Sequence, residues 1–160
     1  MSSPIAALQR WMYRDGRANP VARGLNRAVT TLFSAGRLSP ENAVTLEVRG
    51  RKTGNIISLP VALADYGGER YVVSMLGENV SWVRNLRADS GRAVLRRGRP
   101  EAVQLSDIET AVERAPILRR YLEVAPGARA HFSVDKAGSL GEFEKIAAGY
   151  PVFRVDNPQN

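Results

Sequence analysis

The sequence predicts an α+β fold: about six strands, mostly antiparallel, closing into a small barrel with helices flanking it. Three observations carry this expectation. Between residues 43 and 105, apolar side chains recur at every second position in short runs, the period of half-buried strands. Glycine-bearing turns join these runs into successive hairpins, with Gly50 and Gly54 in one, Gly67-Gly68 in the next and Gly98 in another. Helical spacing is confined to the stretches before residue 43, around 80–88 and after 106. A chain of 160 residues is served by one core, and closing the sheet removes its exposed edges.

Each element follows in order. Ile5, Leu8, Trp11 and Met12 fall at helical spacing. Asn19-Pro20 then supplies an N-cap and a first helical residue for the stripe Val21, Leu25, Val29, Leu32 and Phe33, which Gly36 ends. Val44, Leu46 and Val48 alternate as the first strand, and Ile57, Leu59, Val61 and Leu63 as the second. Pro60 cannot donate to a ladder and predicts an edge, bulge or break there. Tyr71 to Leu76 reads as a third strand. A short helix capped near Asn79 sets Trp82 and Leu86 one turn apart. Ala93-Val94-Leu95 and Val103-Gln104-Leu105 flank the hairpin Arg97-Gly98-Arg99-Pro100. Ser106-Asp107-Ile108-Glu109 has the capping-box spacing of a helix that Pro116 must break or restart. A loop over 125–138, a helix around 140–148 and a strand from Pro151 to Val155 complete the chain. Residues 1–38 are read as a basic helical segment and 39–160 as the barrel domain.

Composition excludes much chemistry. There is no cysteine, so disulfides, thiol nucleophiles and Cys-ligated metals are absent, and the single His131 cannot build a multi-histidine metal site. No G-x-S-x-G elbow and no strand-following G-x-G-x-x-G occurs. Gly50-Arg51-Lys52-Thr53 has the wrong spacing for a P-loop and joins strand to strand. A chain this poor in reactive groups does redox or group-transfer chemistry only through a bound organic cofactor. No apolar run is long enough to span a membrane, and the opening residues lack a secretory pattern, so the expected location is cytoplasmic.

The net charge is +7, from 23 Lys and Arg against 16 Asp and Glu. Residues 1–38 hold Arg10, Arg14, Arg17, Arg23, Arg27 and Arg37 against Asp15 alone, so most of the excess lies there. With Trp11 and Met12 on the same segment, loose contact with the anionic inner face of a membrane is expected. Nucleic acid is not expected as a partner, because the strands lack clustered aromatics for base stacking. Nothing marks a subunit interface, and a monomer is the default.

The hairpin Arg49-Gly50-Arg51-Lys52-Thr53-Gly54-Asn55 is the most informative local feature. Three cations, a hydroxyl and two glycines make a compact anion receptor: glycines let backbone N–H groups approach, Arg51 offers a planar fork and Lys52 a point charge. Two separated segments, LEVRGRKTG…LPV (46–61) and YVVSMLGENVSWVRNLRA (71–88), followed by a basic hairpin and the terminal YPVFRV (150–155), resemble the deazaflavin-dependent nitroreductase/quinone reductase family. The resemblance covers about residues 43–156. It implies a split β-barrel, similar to the FMN-binding split barrels, that binds coenzyme F-420, an 8-hydroxy-5-deazaflavin whose tail carries a phosphate and an oligoglutamate. FMN is the alternative cofactor, and a non-catalytic binder of F-420 or of a lipid-like ligand is the alternative function.

By that resemblance Arg51, Lys52 and Thr53 grip the cofactor phosphate, Arg49 beside them is also cofactor-binding, Pro60 and Val61 lie beside the ring, and Met75, Leu76 and Gly77 pass along it. Trp82, Asn85 and Leu86 close the phosphate end. Where many family members carry Ser-Lys, this chain has Met75-Leu76, which removes a cation and makes the surface over the ring more apolar. The implied reaction passes hydride to a small hydrophobic acceptor: a quinone, a nitroaromatic or an enone. His131 is the candidate proton donor, with Phe132 and Tyr121 on the substrate side. No metal is implied.

Overall fold

The structure, a computed structural model, describes residues 42–158. The N-terminal helices expected from the sequence, and the basic segment 1–38, lie outside the described residues.

Six strands form a closed barrel: β1 (Ala43–Arg49), β2 (Ile56–Tyr66), β3 (Glu69–Val73), β4 (Arg92–Arg97), β5 (Arg99–Asp107) and β6 (Val152–Asp156). Their order around the barrel is β1-β2-β3-β6-β5-β4, and every neighbouring pair is antiparallel. Alternation sends one face of each strand inward. Leu46, Val48, Leu59, Val72, Leu95, Val103, Leu105 and Phe153 fill the barrel, joined by Val80, Trp82, Val83 and Leu86. The last four belong to helix α1 (Ser81–Ala88) and the residue before it. A second core lies outside the barrel, where α2 (Ala111–Val124) and α3 (Leu140–Ile146) cover Ala62, Ala64, Tyr71 and Val73.

Of the readings of Pro60 the edge holds, and four other local expectations are corrected. Pro60 does not interrupt β2, which runs unbroken from Ile56 to Tyr66. The Leu63 N–H donates to the Asn42 carbonyl on the β1 side. Residues 61, 59 and 57 therefore also face β1, and Pro60 turns its missing donor away from that ladder. On that other side β2 meets β3 only from Leu63 onward, so the proline does sit on an unpaired edge. The third strand ends at Val73: the Ser74 N–H still donates to Pro151 O, but Pro151 has no N–H to return, and the Ser74 Oγ turns to Gly77 O.

The cap of α1 is Val80, with no side-chain bond; Asn79 Oδ1 instead accepts from Arg84. Helix α2 is capped by Thr110, whose Oγ1 accepts from the Glu113 N–H, while Ser106 stays in β5 and donates to Asp156. Pro116 lies inside α2 without ending it. The carbonyl it deprives of a partner is that of Val112, a residue exposed to solvent. The capping box before α3 pairs Ser139 with Glu142.

Candidate functional site

The 50–55 hairpin between β1 and β2 is held open by its own backbone. Gly50 N–H donates to Asn55 O and Gly54 N–H to Gly50 O, both at 2.8 Å, and the Asn55 N–H donates to Thr53 Oγ1. Gly54 has φ +73°, a conformation that favours glycine. From the barrel side, Asn85 of α1, only 2% exposed, reaches the hairpin: its Oδ1 accepts from Arg51 N–H at 3.2 Å and from Arg51 Nη1 at 2.7 Å. One buried amide thus fixes both the backbone and the guanidinium of Arg51.

The charges near the hairpin differ in their partners. Arg70, Arg87, Arg92, Arg96, Arg120 and Arg154 are each ion-paired to a carboxylate. Among the described residues Arg51 and Lys52 have no acidic partner, and the N–H groups of Lys52 and Thr53 have no acceptor. Two exposed cations beside two adjacent undonated amides form a donor set of the kind that takes a phosphate. The residues present therefore fit the anionic tail of a deazaflavin cofactor.

Arg49 does not join them. It projects from the outer face of β1 into a separate groove of about 460 Å³, with Glu47, Asp89 and Arg92. The pleat also separates Pro60 from Val61: Val61 packs on the barrel core, and Pro60 shares the outward parity of Ala62 and Ala64. Trp82 and Leu86 face inward, Trp82 against the Phe153 ring at 5.8 Å and Leu86 with no exposure, so they support α1 from within.

At the barrel end where β3 stops, three segments run abreast. Continuing the β2–β3 register sets Pro60 opposite Met75, and continuing the β3–β6 register sets Met75 opposite Tyr150. The loop 74–77 is tied at one end by the buried Ser74. At the other, Glu78 pairs with Arg87, which also holds Asp107 and lies over the Phe153 ring. The hydrogen bonds to Asp107 and then Glu78 push the Arg87 pKa further up, so it stays charged. Gly77, at φ +94°, comes so near Gly149 O that a Cβ would lie 3.3 Å from it.

Met75, Leu76, Gly77, His131, Gly149 and Tyr150 line a cavity of about 360 Å³. His131, at the end of a 3-10 turn (Pro126–His131), does reach it. The other two substrate-side expectations are corrected. Tyr121 lies 3% exposed in the second core, where burial pushes its phenol pKa strongly up. Phe132 is 9% exposed and sits behind Tyr150, the two rings stacked at 4.0 Å. The residue missed was Tyr150, whose one signal was its place beside Pro151 at the start of the last strand. Among the described residues no His, Cys, Asp and Glu group suits a metal, and no helix is long and apolar enough to cross a membrane.

A six-stranded antiparallel barrel with flanking helices and an exposed cationic hairpin between its first two strands defines the class: a split-barrel protein. The particular family follows from the sequence. The profile of the family described as F420H(2)-dependent quinone reductase matches residues 12–136, most of the chain, and the chain belongs to that family. It is therefore an F-420-dependent oxidoreductase.

Solved structures share the fold. One is a putative 5-nitroimidazole antibiotic resistance protein from Bacteroides thetaiotaomicron, with 13% identity over 74% of each chain and a TM-score of 0.50. A second, described as a domain-swapped dimer, has 18% identity over 85% of this chain and 96% of that one, with a TM-score of 0.52. A third, of unknown function from Agrobacterium tumefaciens, has 13% identity over 88% of this chain and 56% of that one, with a TM-score of 0.54. No curated protein matches the chain.

Proposed function

We propose that this chain reduces a small, uncharged acceptor, a quinone, nitroaromatic or enone, at the expense of reduced coenzyme F-420. One observation carries the reading: Arg51 and Lys52 stand together without a described carboxylate, beside two adjacent amides that have no described acceptor. Arg51, Lys52 and the Lys52 and Thr53 N–H groups hold the phosphate, and Asn85 keeps Arg51 aimed. Pro60 and the loop Met75-Leu76-Gly77 form the apolar shelf for the ring system and keep water from it. About 13 Å of β2 separates the hairpin from Pro60, at roughly 3.3 Å per residue.

Reducing a quinone to a hydroquinone consumes one hydride, which the bound reduced deazaflavin supplies, and one proton. The chain contributes position and electrostatics. His131 lines the cavity, and its imidazole is the proposed proton donor, with water as the alternative. A quinone dissolved in a bilayer also gives the basic segment 1–38 a purpose. Liposome flotation of the full chain against one starting at Asn42 tests that part.

The test of the reaction is anaerobic oxidation of reduced F-420 by 1,4-naphthoquinone and by a nitroaromatic, with reduced FMN in parallel. Turnover with F-420 alone supports the reading. Binding without turnover leaves a non-catalytic carrier, and preference for FMN overturns the cofactor.

A further inference from the structure

We propose that Tyr150 determines which acceptors enter this protein: its ring is a fixed wall against which a planar, uncharged ring system stacks in the cavity it shares with Met75. The inference rests on the reading that the acceptor is reduced at this end of the barrel.

Four contacts hold Tyr150. Its hydroxyl donates to the His131 carbonyl at 2.5 Å, its ring stacks on Phe132 at 4.0 Å and 12°, and its N–H donates to Ala147 O. Its carbonyl accepts from Arg114 Nη1 at 3.4 Å. Arg114 is itself 7% exposed and spends its other bonds on the carbonyls of Ile108 and Ala147. A buried guanidinium satisfied by three backbone oxygens therefore clamps the turn that presents Tyr150.

The hydroxyl's single proton is committed to His131 O, and burial pushes the phenol pKa up. Tyr150 is thus a wall and not an acid. One ring face is covered by Phe132, leaving the rest of the ring for the cavity. Met75, which lines the same cavity, is unbranched and polarisable, suited to adapting to rings of differing outline. Among the described residues no carboxylate, lysine or arginine lines the cavity, so a charged acceptor would find no ion-pair partner there. At about 360 Å³ the space lies at the small end of ligand sites and suits a compact fused ring.

Direct binding tests this without turnover. Isothermal titration of the full chain with oxidised 1,4-naphthoquinone and with single-ring duroquinone is run on wild type, Tyr150→Phe, Tyr150→Leu and Arg51→Ala/Lys52→Ala. The chain has no cysteine to add to either quinone. Naphthoquinone is expected to bind wild type more tightly than duroquinone. Tyr150→Leu should weaken naphthoquinone about tenfold and erase the preference, Tyr150→Phe should stay within about threefold, and the hairpin variant should be unchanged. Thermal melting identifies any variant that has unfolded, and the Phe variant, which keeps the stack, then carries the comparison with Met75→Ala, expected to lose affinity because Met75 lines the same cavity. Wild-type binding unaltered in Tyr150→Leu, or no naphthoquinone binding by wild type, overturns the proposal. If F-420 fails to bind while the quinone still does, the cofactor reading falls and the acceptor wall stands.

Discussion

Replacing Asn85 by Ala tests how the hairpin is held. The change removes one backbone acceptor and one charge-assisted acceptor from Arg51. The first is worth about 1 kcal/mol and the second about 1.5–3 kcal/mol where no water competes. Arg51 is exposed, so water resolvates its guanidinium and that second contribution falls below about 1 kcal/mol. The expected loss is about 2 kcal/mol, a fall in Tm of roughly 4–8 °C for a chain of this length. Binding changes as well, because the cofactor must then order a loop that the protein formerly held. Fixing one residue costs about 1–2 kcal/mol, so the Kd for F-420 should rise roughly tenfold. Differential scanning fluorimetry reads the first effect and quenching of F-420 fluorescence the second. A lowered Tm with unchanged Kd would refute the reasoning: Asn85 would then be packing, and the hairpin would not be the clamp.

Three further outcomes follow from burial and charge. Tyr121→Phe should leave the pH dependence of turnover unchanged, since the phenol is enclosed and ionises only far above neutrality; a shifted profile would return Tyr121 to the site. Gly91→Ala should destabilise by more than about 3 kcal/mol, read as a urea midpoint, because Gly91 sits at φ +79° and a Cβ there collides with the Leu105 carbonyl; a midpoint within about 1 kcal/mol of wild type would contradict this packing. The hydrogen bond and charge of Arg70 hold the Glu101 carboxyl below the usual range. The unfolded chain therefore binds that proton at higher pH than the folded one. The stabilisation is complete above the ordinary Glu pKa and is lost as pH falls through the lowered value. Glu101→Gln should flatten the decline of stability between about pH 5 and 3, and an unchanged slope would contradict the pairing.

Much of this was legible in the sequence because the barrel strands obey a period of two. Val44, Leu46 and Val48, or Leu59 and Leu63, announce one buried face whatever they pack against. The 50–55 hairpin was legible for a similar reason, since cations and glycines in a turn need no tertiary context to read as an anion receptor. Closure of the barrel was harder, because which strand β6 joins depends on contacts far apart in sequence.

The misses share a cause. Arg49 is one residue from Gly50, yet the outward face of β1 aims it into another groove. Val61 is next to Pro60, yet the pleat turns it inward. Phe132 and Tyr150 lie eighteen positions apart, and only folding decides that the first backs the second. Pro116 stays inside α2 because the helix loses one bond at an exposed turn while packing a whole face on β2 and β3. Local rules named the chemistry, and the direction of each side chain came from tertiary packing.

The central claim is that the hairpin cations bind the anionic tail of a deazaflavin. Fluorescence titration with F-420, at two salt concentrations and with FMN as competitor, tests it on wild type and on Arg51→Ala/Lys52→Ala. The expected result is micromolar or tighter binding that weakens with salt, resists FMN and falls at least tenfold in the variant. Equal affinity of the two proteins for F-420, or displacement by equimolar FMN, would contradict it.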